Sequence, residues 1–205
     1  MFNWLKNKLG LNRRTLPRDA DRDISFFQEK AAEEKLSGNL EANLNKIQEA
    51  GGFSYDISIR RFMAGSLPGA LVYLEGLTDR RSTEEIIRTL VLESEKTKTV
   101  LKRGRGLESA REKLLTADEL SPVENIADLF AGIARGGAAL FLDGSPGALI
   151  CDTREPKTRP VSEPENETTL RGPRDGFIEN LRTNTSLLRL RLPIPQLWIE
   201  TMTIG

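Results

Sequence analysis

The sequence predicts an α/β fold: a mixed β-sheet flanked by helices, with an N-terminal helical extension. Three observations predict it. Residues 53–60 alternate apolar and polar, as a half-buried strand does. Residues 70–76 and 138–142 are short apolar runs bounded by Gly and Pro, as buried strands are. Around 82–92 and 121–135 the apolar residues recur at three- and four-residue spacing, the period of an amphipathic helix.

In chain order, residues 15–50 read as helical and linker-like. A short helix is expected over 21–28, and Leu36, Leu40, Leu44 and Ile47 fall on one face of a second helix that Gly51 and Gly52 end. Phe53, Tyr55, Ile57 and Ile59 form the apolar side of the strand at 53–60. A turn over 66–69 leads to the strand at 70–76. Ser82, with Glu85 three residues on, has the pattern of a capping box for a helix that buries Ile86, Ile87, Leu90 and Val91.

Residues 95–121 have the weakest pattern. Lys96, Lys98, Lys102, Arg103 and Arg105 with Gly104 and Gly106 make a basic loop, a helix is expected at 107–115, and 116–121 is turn-like. Ser121 and Glu124 repeat the capping box, with Pro122 at the first helical position, and Ile126, Leu129, Phe130 and Ile133 form the apolar face behind it. Gly136 and Gly137 close that helix, and strands at 138–142 and 148–152 flank a hairpin loop at 143–147. From Asp175 a helix is expected through Leu190, with Phe177, Leu181, Leu187, Leu188 and Leu190 apolar, ended by Pro193 and Pro195. Residues 197–202 read as a last strand in need of a partner. The division is thus 1–50 as an N-terminal helical segment, 51–192 as an α/β domain, and 193–205 as the start of a second, truncated α/β subdomain.

Composition limits function. The chain has 205 residues, enough to bury a real core. Its 30 basic and 30 acidic side chains cancel, which argues against nucleic acid as the main partner, because phosphate binding normally leaves a basic excess. One cysteine, Cys151, allows no intrachain disulfide and reads as a small buried hydrophobe. Histidine is absent, which removes the commonest general base and metal ligand and every Ser-His-Asp or Cys-His scheme. No cofactor, metal site or catalytic residue is expected, and the chain is read as a non-enzyme. No apolar run approaches the roughly 20 residues of a membrane span. Residues 1–14 would form a basic amphipathic helix, open to two readings: packing on the domain, or lying on an anionic membrane face.

The densest charged stretch is 162–180. Arg171 and Arg174 flank Gly172 and Pro173 ahead of a helix, a setting in which two guanidinium groups and free N–H groups hold a carboxylate or phosphate. Alternatively they pair with Glu163, Glu165 or Glu167 and shape the loop, which their closeness in sequence favours. Arg171, Arg174, Glu179 and Asn184 are the candidate binding residues. The basic loop at 102–106 has the charge for lipid headgroups or nucleic acid but no interleaved aromatics, so a solvated loop accounts for it. Residues 143–147 are too short for an EF-hand loop, and a hairpin turn explains them.

On Glu163-Pro164-Glu165-Asn166-Glu167, Arg171-Gly172-Pro173-Arg174-Asp175-Gly176-Phe177-Ile178-Glu179, Thr183-Asn184 and Leu188-Arg189-Leu190-Arg191, the chain resembles the A subunit of the GerA-family spore germinant receptors. Tyr73-Leu74-Glu75-Gly76-Leu77 also resembles a strand end of that family, and Thr203-Ile204-Gly205 the point where its second subdomain begins. The resemblance implies that Glu163, Pro164, Glu167, Gly172, Pro173, Gly176, Phe177, Arg189 and Arg191 are structural motif positions. It further implies a soluble N-terminal region of a receptor subunit in the spore inner membrane, facing the cytoplasm or spore core and attached through a C-terminal membrane domain. Such a subunit would work with B and C subunits, and possible homo-oligomers, to sense a small-molecule nutrient and trigger germination. The alternatives are a stand-alone small-molecule-binding α/β module, and a hydrolase using the carboxylates of 163–179.

Overall fold

The computed structural model describes residues 31, 33–96, 104–113, 120–154, 177–192 and 197–203. The expected helices at 1–14 and 21–28, the basic-loop residues Lys98, Lys102 and Arg103, the turn at 116–119, and Pro193 and Pro195 lie outside them.

Helix α1 (Leu40–Ala50) starts where the Asn39 side chain accepts a hydrogen bond from the Ala42 N–H, one of the first-turn donors that has no partner within the helix. Leu40, Leu44 and Ile47 are buried as the spacing predicts, and Leu36 joins the same core from ahead of the helix. Gly51 and Gly52 end it.

The strand expected from 53 begins later, as β1 (Ile57–Ala64). Phe53 and Tyr55 are 60% and 66% exposed, whereas Ser54 and Asp56 are buried. The helix-ending turn runs on through these residues: Phe53 donates to the Gln48 carbonyl and sits at φ 55, a left-handed conformation no strand contains. Gly65 (φ 62) and Ser66 then turn the chain into β2 (Leu67–Leu74), a two-residue hairpin whose first loop position needs positive φ. The turn expected at 66–69 therefore falls earlier, and Pro68 and Gly69 belong to the strand.

Helix α2 (Arg80–Lys96) is capped by Asp79, not by Ser82. The Asp79 carboxylate accepts from the Arg81 N–H (3.2 Å), the Ser82 N–H (3.2 Å) and the Ser82 hydroxyl (2.9 Å), which leaves the expected capping box inside the first turn. Ile86 and Leu90 are buried, with Ile87 and Val91 half-buried beside them. Helix α3 (Gly106–Lys113) follows, then β3 (Leu120–Val123), in place of the second capping box. The cap of α4 (Ile126–Ala134) is Asn125, whose side chain accepts from the Asp128 N–H at 2.7 Å. In both cases the residue directly before the helix satisfies the orphan donors and outcompetes the serine. The apolar face of α4, the strands β4 (Ala138–Leu142) and β5 (Ala148–Cys151), and the loop between them stand where expected.

Among the described residues the strands form one sheet in the order β1-β2-β4-β5-β3, with every ladder antiparallel. Successive strand residues face opposite sides. On one side Ala70, Val72, Leu74, Ala139 and Phe141 meet α1 and α4; on the other Leu71, Ala138, Leu140 and Leu142 meet α2 and α3. With helices on both faces, β4 is buried along its whole length, which explains its unbroken apolar run. This bears out the α/β class with helices flanking the sheet, whereas the sheet among the described residues is antiparallel and not mixed.

The last helix, α5 (Leu181–Arg191), begins six residues later than expected, because Asn180 caps it by accepting from the Thr183 N–H. Residues 197–203 belong to no strand; Ile199 instead bonds to the turn ahead of β1, donating to the Ser54 hydroxyl (2.7 Å) and accepting from the Tyr55 N–H (2.8 Å).

Candidate functional site

Helix α5 crosses the open end of the β1–β2 hairpin, where Ile57 pairs with Leu74. Its contacts there are polar. The residues it buries are Ser186 and Arg189, one helical turn apart, and not the leucines.

Gly76, just past β2, lies beneath this helix at φ 87, and a Cβ there would come within 2.1 Å of the Ser186 hydroxyl oxygen. Only glycine satisfies both the backbone angle and the close approach. Beside it Arg182 Nη2 reaches Glu75 Oε2 at 2.7 Å, an exposed pair. Further along, the Arg189 guanidinium is 3% exposed and grips Asp56 with two prongs, Nε to Oδ2 at 2.7 Å and Nη2 to Oδ1 at 2.9 Å. Ser54 completes the group: its hydroxyl donates to Asp56 Oδ1 (2.7 Å) and accepts from Arg189 Nη2 (3.1 Å) and the Ile199 N–H. Trp198 lies over Gly52, where a Cβ would meet the indole at 2.2 Å.

This network is a clamp, not a reaction centre. The Asp56 carboxylate is buried and engaged on both oxygens, and removing either charge would strand the other away from water. Elsewhere in the sheet, on β5, the Cys151 thiol is inert through burial, which pushes its pKa up to about 12, so no thiolate forms near neutral pH. Among the described residues no group of His, Cys, Asp and Glu is placed to hold a metal ion, and no helix is long and apolar enough to cross a membrane. The cleft between β1 and α2, about 270 Å³, has an apolar floor of Ile87, Val91 and Leu92 and a rim of Arg60, Glu84 and Arg88. Arg80 takes up Glu84 at 2.9 Å and holds its carboxyl below the ordinary value.

The expected site residues divide four ways. Arg171, Arg174, Glu163, Pro164, Glu167, Gly172, Pro173 and Gly176 lie outside the described residues. Glu179 and Phe177 are exposed ahead of α5, and Arg191 is exposed at its end. Asn184 turns its amide on its own chain, accepting from the Ile178 N–H (2.8 Å) and donating to the Ile178 carbonyl (2.6 Å), and so braces the helix entry. Arg189 is the one that reaches the sheet. Sequence reasoning missed Ser54, Asp56 and Ser186. The signal for Ser186 was its three-residue spacing from Arg189; nothing local marks Asp56.

Gly76, in the 73–77 stretch of the resemblance, thus meets Ser186, which lies between the resembling steps at 183–184 and 188–191. The sequence model of the Bacillus/Clostridium GerA spore germination protein family matches residues 45–205. The chain belongs to the GerA family. Among its relatives, spore germination protein KA of Bacillus subtilis (strain 168) is 30% identical over 181 residues, covering 87% of this chain and 32% of the relative. Spore germination protein B1 of the same organism is 30% identical over 173 residues, covering 83% of this chain and 35% of the relative. The crystal structure of the N-terminal domain of the A subunit of the Bacillus megaterium spore germinant receptor GerK3 aligns with a TM-score of 0.66 at 29% identity, covering 84% of this chain and 62% of that one. The chain therefore spans about a third of the length of these two GerA-family relatives.

Proposed function

We propose that this chain is the N-terminal region of a spore germinant receptor A subunit, taking part in nutrient sensing and in passing the signal onward. In this reading it sits at the spore inner membrane, facing the cytoplasm or spore core, and works with B and C subunits rather than as an enzyme. Its similarity to the GerK3 A-subunit domain across 84% of the chain supports the role.

The observation that carries the signalling part is the Arg189–Asp56–Ser54 clamp. It ties the sheet to α5 and to Ile199 in one hydrogen-bonded group. The pair is buried on both sides and engaged on both carboxylate oxygens, so it holds α5 to the sheet at this point. A nutrient that binds one arrangement of the receptor better than another shifts the population by that difference in affinity, and this coupling carries the shift along the chain without slack.

The test is germination of spores lacking the gene, scored against a panel of amino acids, sugars and nucleosides. The proposal predicts loss of response to at least one nutrient, restored by the intact gene. Unchanged response to the whole panel would overturn it.

A further inference from the structure

Strand β1 is the outer strand of the sheet and pairs on one side only, with β2. The Asp56 carbonyl accepts from the Glu75 N–H at 2.8 Å, and the ladder runs on in register from there. Antiparallel strands bond through alternate residues, so Ser58, Arg60 and Phe62 turn their backbone groups to β2. The N–H and C=O groups of Ile59, Arg61 and Met63 therefore point away from the sheet, and among the described residues no strand takes them up. Such a row is a template for another strand.

The cleft beside this edge adds a side-chain pocket. It is bounded by β1 and α2 alone, with Ile87, Val91 and Leu92 as its floor and Arg60, Glu84 and Arg88 at its rim. Arg60 lies on the α2 side of the sheet, so a residue opposite it on an added strand would turn its side chain to the cleft. At about 270 Å³ the cleft is below the roughly 300–1,000 Å³ of sites that enclose a small molecule, and it suits one branched side chain. The rim favours acids. Arg80 takes Glu84 at 2.9 Å, so Arg60, 3.6 Å from the same carboxylate, shares a group already engaged. Arg88 reaches Glu85 only at 3.9 Å. On the other side of the sheet Arg61 is held by Glu41 of α1, which leaves charge selection to the α2 side.

We infer that β1 and this cleft form a strand-addition site for an extended segment of another protein, one apolar side chain standing between acidic ones two residues to either side. The period of two keeps all three on the α2 side, the apolar one over the floor and the acids beside Arg60 and Arg88. Main-chain bonds to Ile59, Arg61 and Met63 give affinity, and the cleft gives selection. A second copy fits worse. Two β1 strands paired antiparallel about their centres set Arg60 on Arg60 or Arg61 on Arg61, and like charges directly opposite are destabilising. The arginines that turn away a second copy admit an acidic strand.

The test is binding of the synthetic peptide acetyl-TETITET-amide, which sets isoleucine between two glutamates on one side, to the 205-residue chain. Saturable binding should slow hydrogen exchange of the Ile59, Arg61 and Met63 amides and leave Ser58, Arg60 and Phe62, already bonded to β2, unchanged. Lysine in place of both glutamates should weaken binding at least about ten-fold, as should Arg60→Glu or Leu92→Asp in the protein. N-methylation of the threonines removes the donors aimed at β1 and should abolish binding, whereas N-methylation of the isoleucine and glutamates should be tolerated. The peptide variants decide the matter without altering the protein. Absence of saturable binding up to about 1 mM peptide, equal binding of the acidic and lysine peptides, equal loss with either N-methylated set, or a chain that already dimerises through β1 would each overturn the inference.

Discussion

Arg189 on α5 and Asp56 ahead of β1, 133 residues apart, form a buried two-pronged ion pair. Ser54 stands between them and the Ile199 amide. The pair explains why two polar residues of an alternating stretch are inside while their aromatic neighbours are outside.

That inversion makes Phe53 a discriminating position. A core phenylalanine would cost about 3–5 kcal/mol on truncation. Phe53 is 60% exposed and strained at φ 55, so Phe53→Gly relieves a left-handed residue worth about 1–2 kcal/mol against a glycine entropy cost of about 0.5–1 kcal/mol. Urea unfolding should place the variant within about 1 kcal/mol of the parent, on the stabilised side.

The seat of α5 depends on Gly76. Gly76→Ala forces a Cβ into the Ser186 hydroxyl and an L-residue into φ 87, so it should destabilise by at least about 1–2 kcal/mol and quicken proteolytic cleavage within 177–192. Adding Ser186→Gly removes the clash but not the backbone strain, and should slow the cleavage again. Equal cleavage rates in the parent and the Gly76→Ala variant would count against the seating described.

Asp79 caps α2, and the Ser82 hydroxyl, followed by the Arg81 amide, holds its carboxyl below the ordinary value of 3.8. A depressed carboxyl contributes stability that is present above the unfolded value and lost as pH falls through the folded one. Asp79→Ala should therefore lower the melting temperature at pH 7, because the first-turn N–H groups lose their acceptor. The gap between parent and variant should persist down to about pH 4 and close below it. Melting temperatures measured from pH 7 to pH 2.5 check this; a gap that closes above pH 5 would contradict it.

Cys151, buried in β5 with its pKa pushed up to about 12, should resist thiol reagents in the folded chain. At pH 8 labelling with DTNB should be slow and limited by opening of the sheet, and complete within seconds to minutes once urea unfolds the protein. Rapid labelling of the native chain would place the thiol at the surface.

The legible parts of the fold are those whose cause is local. The unbroken apolar run of β4, the 126–133 face of α4 and the glycines that end α1 and α4 each carry their own signal. The misplaced starts have local causes too, but ones in competition: Asp79 and Asn125 lie next to their helices and win the cap from Ser82 and Ser121. The phase of 53–56 was not legible, because what draws Asp56 inside is an arginine 133 residues away. Of the candidate site, Arg189 stood out through its motif, whereas Asp56 and Ser54 had no mark until the chain was folded. The bracing role of Asn184 was not legible, because it depends on the bend at Ile178.

The central claim is that Arg189 and Asp56 hold α5 to the sheet, and a double-mutant cycle tests it most directly. Urea denaturation of Arg189→Met, Asp56→Leu and the double variant gives the three free energies. The account predicts that each single change costs about 3–5 kcal/mol by stranding the other charge, and that the double change costs clearly less than their sum. Single changes of under about 1 kcal/mol, or costs that simply add, would contradict it.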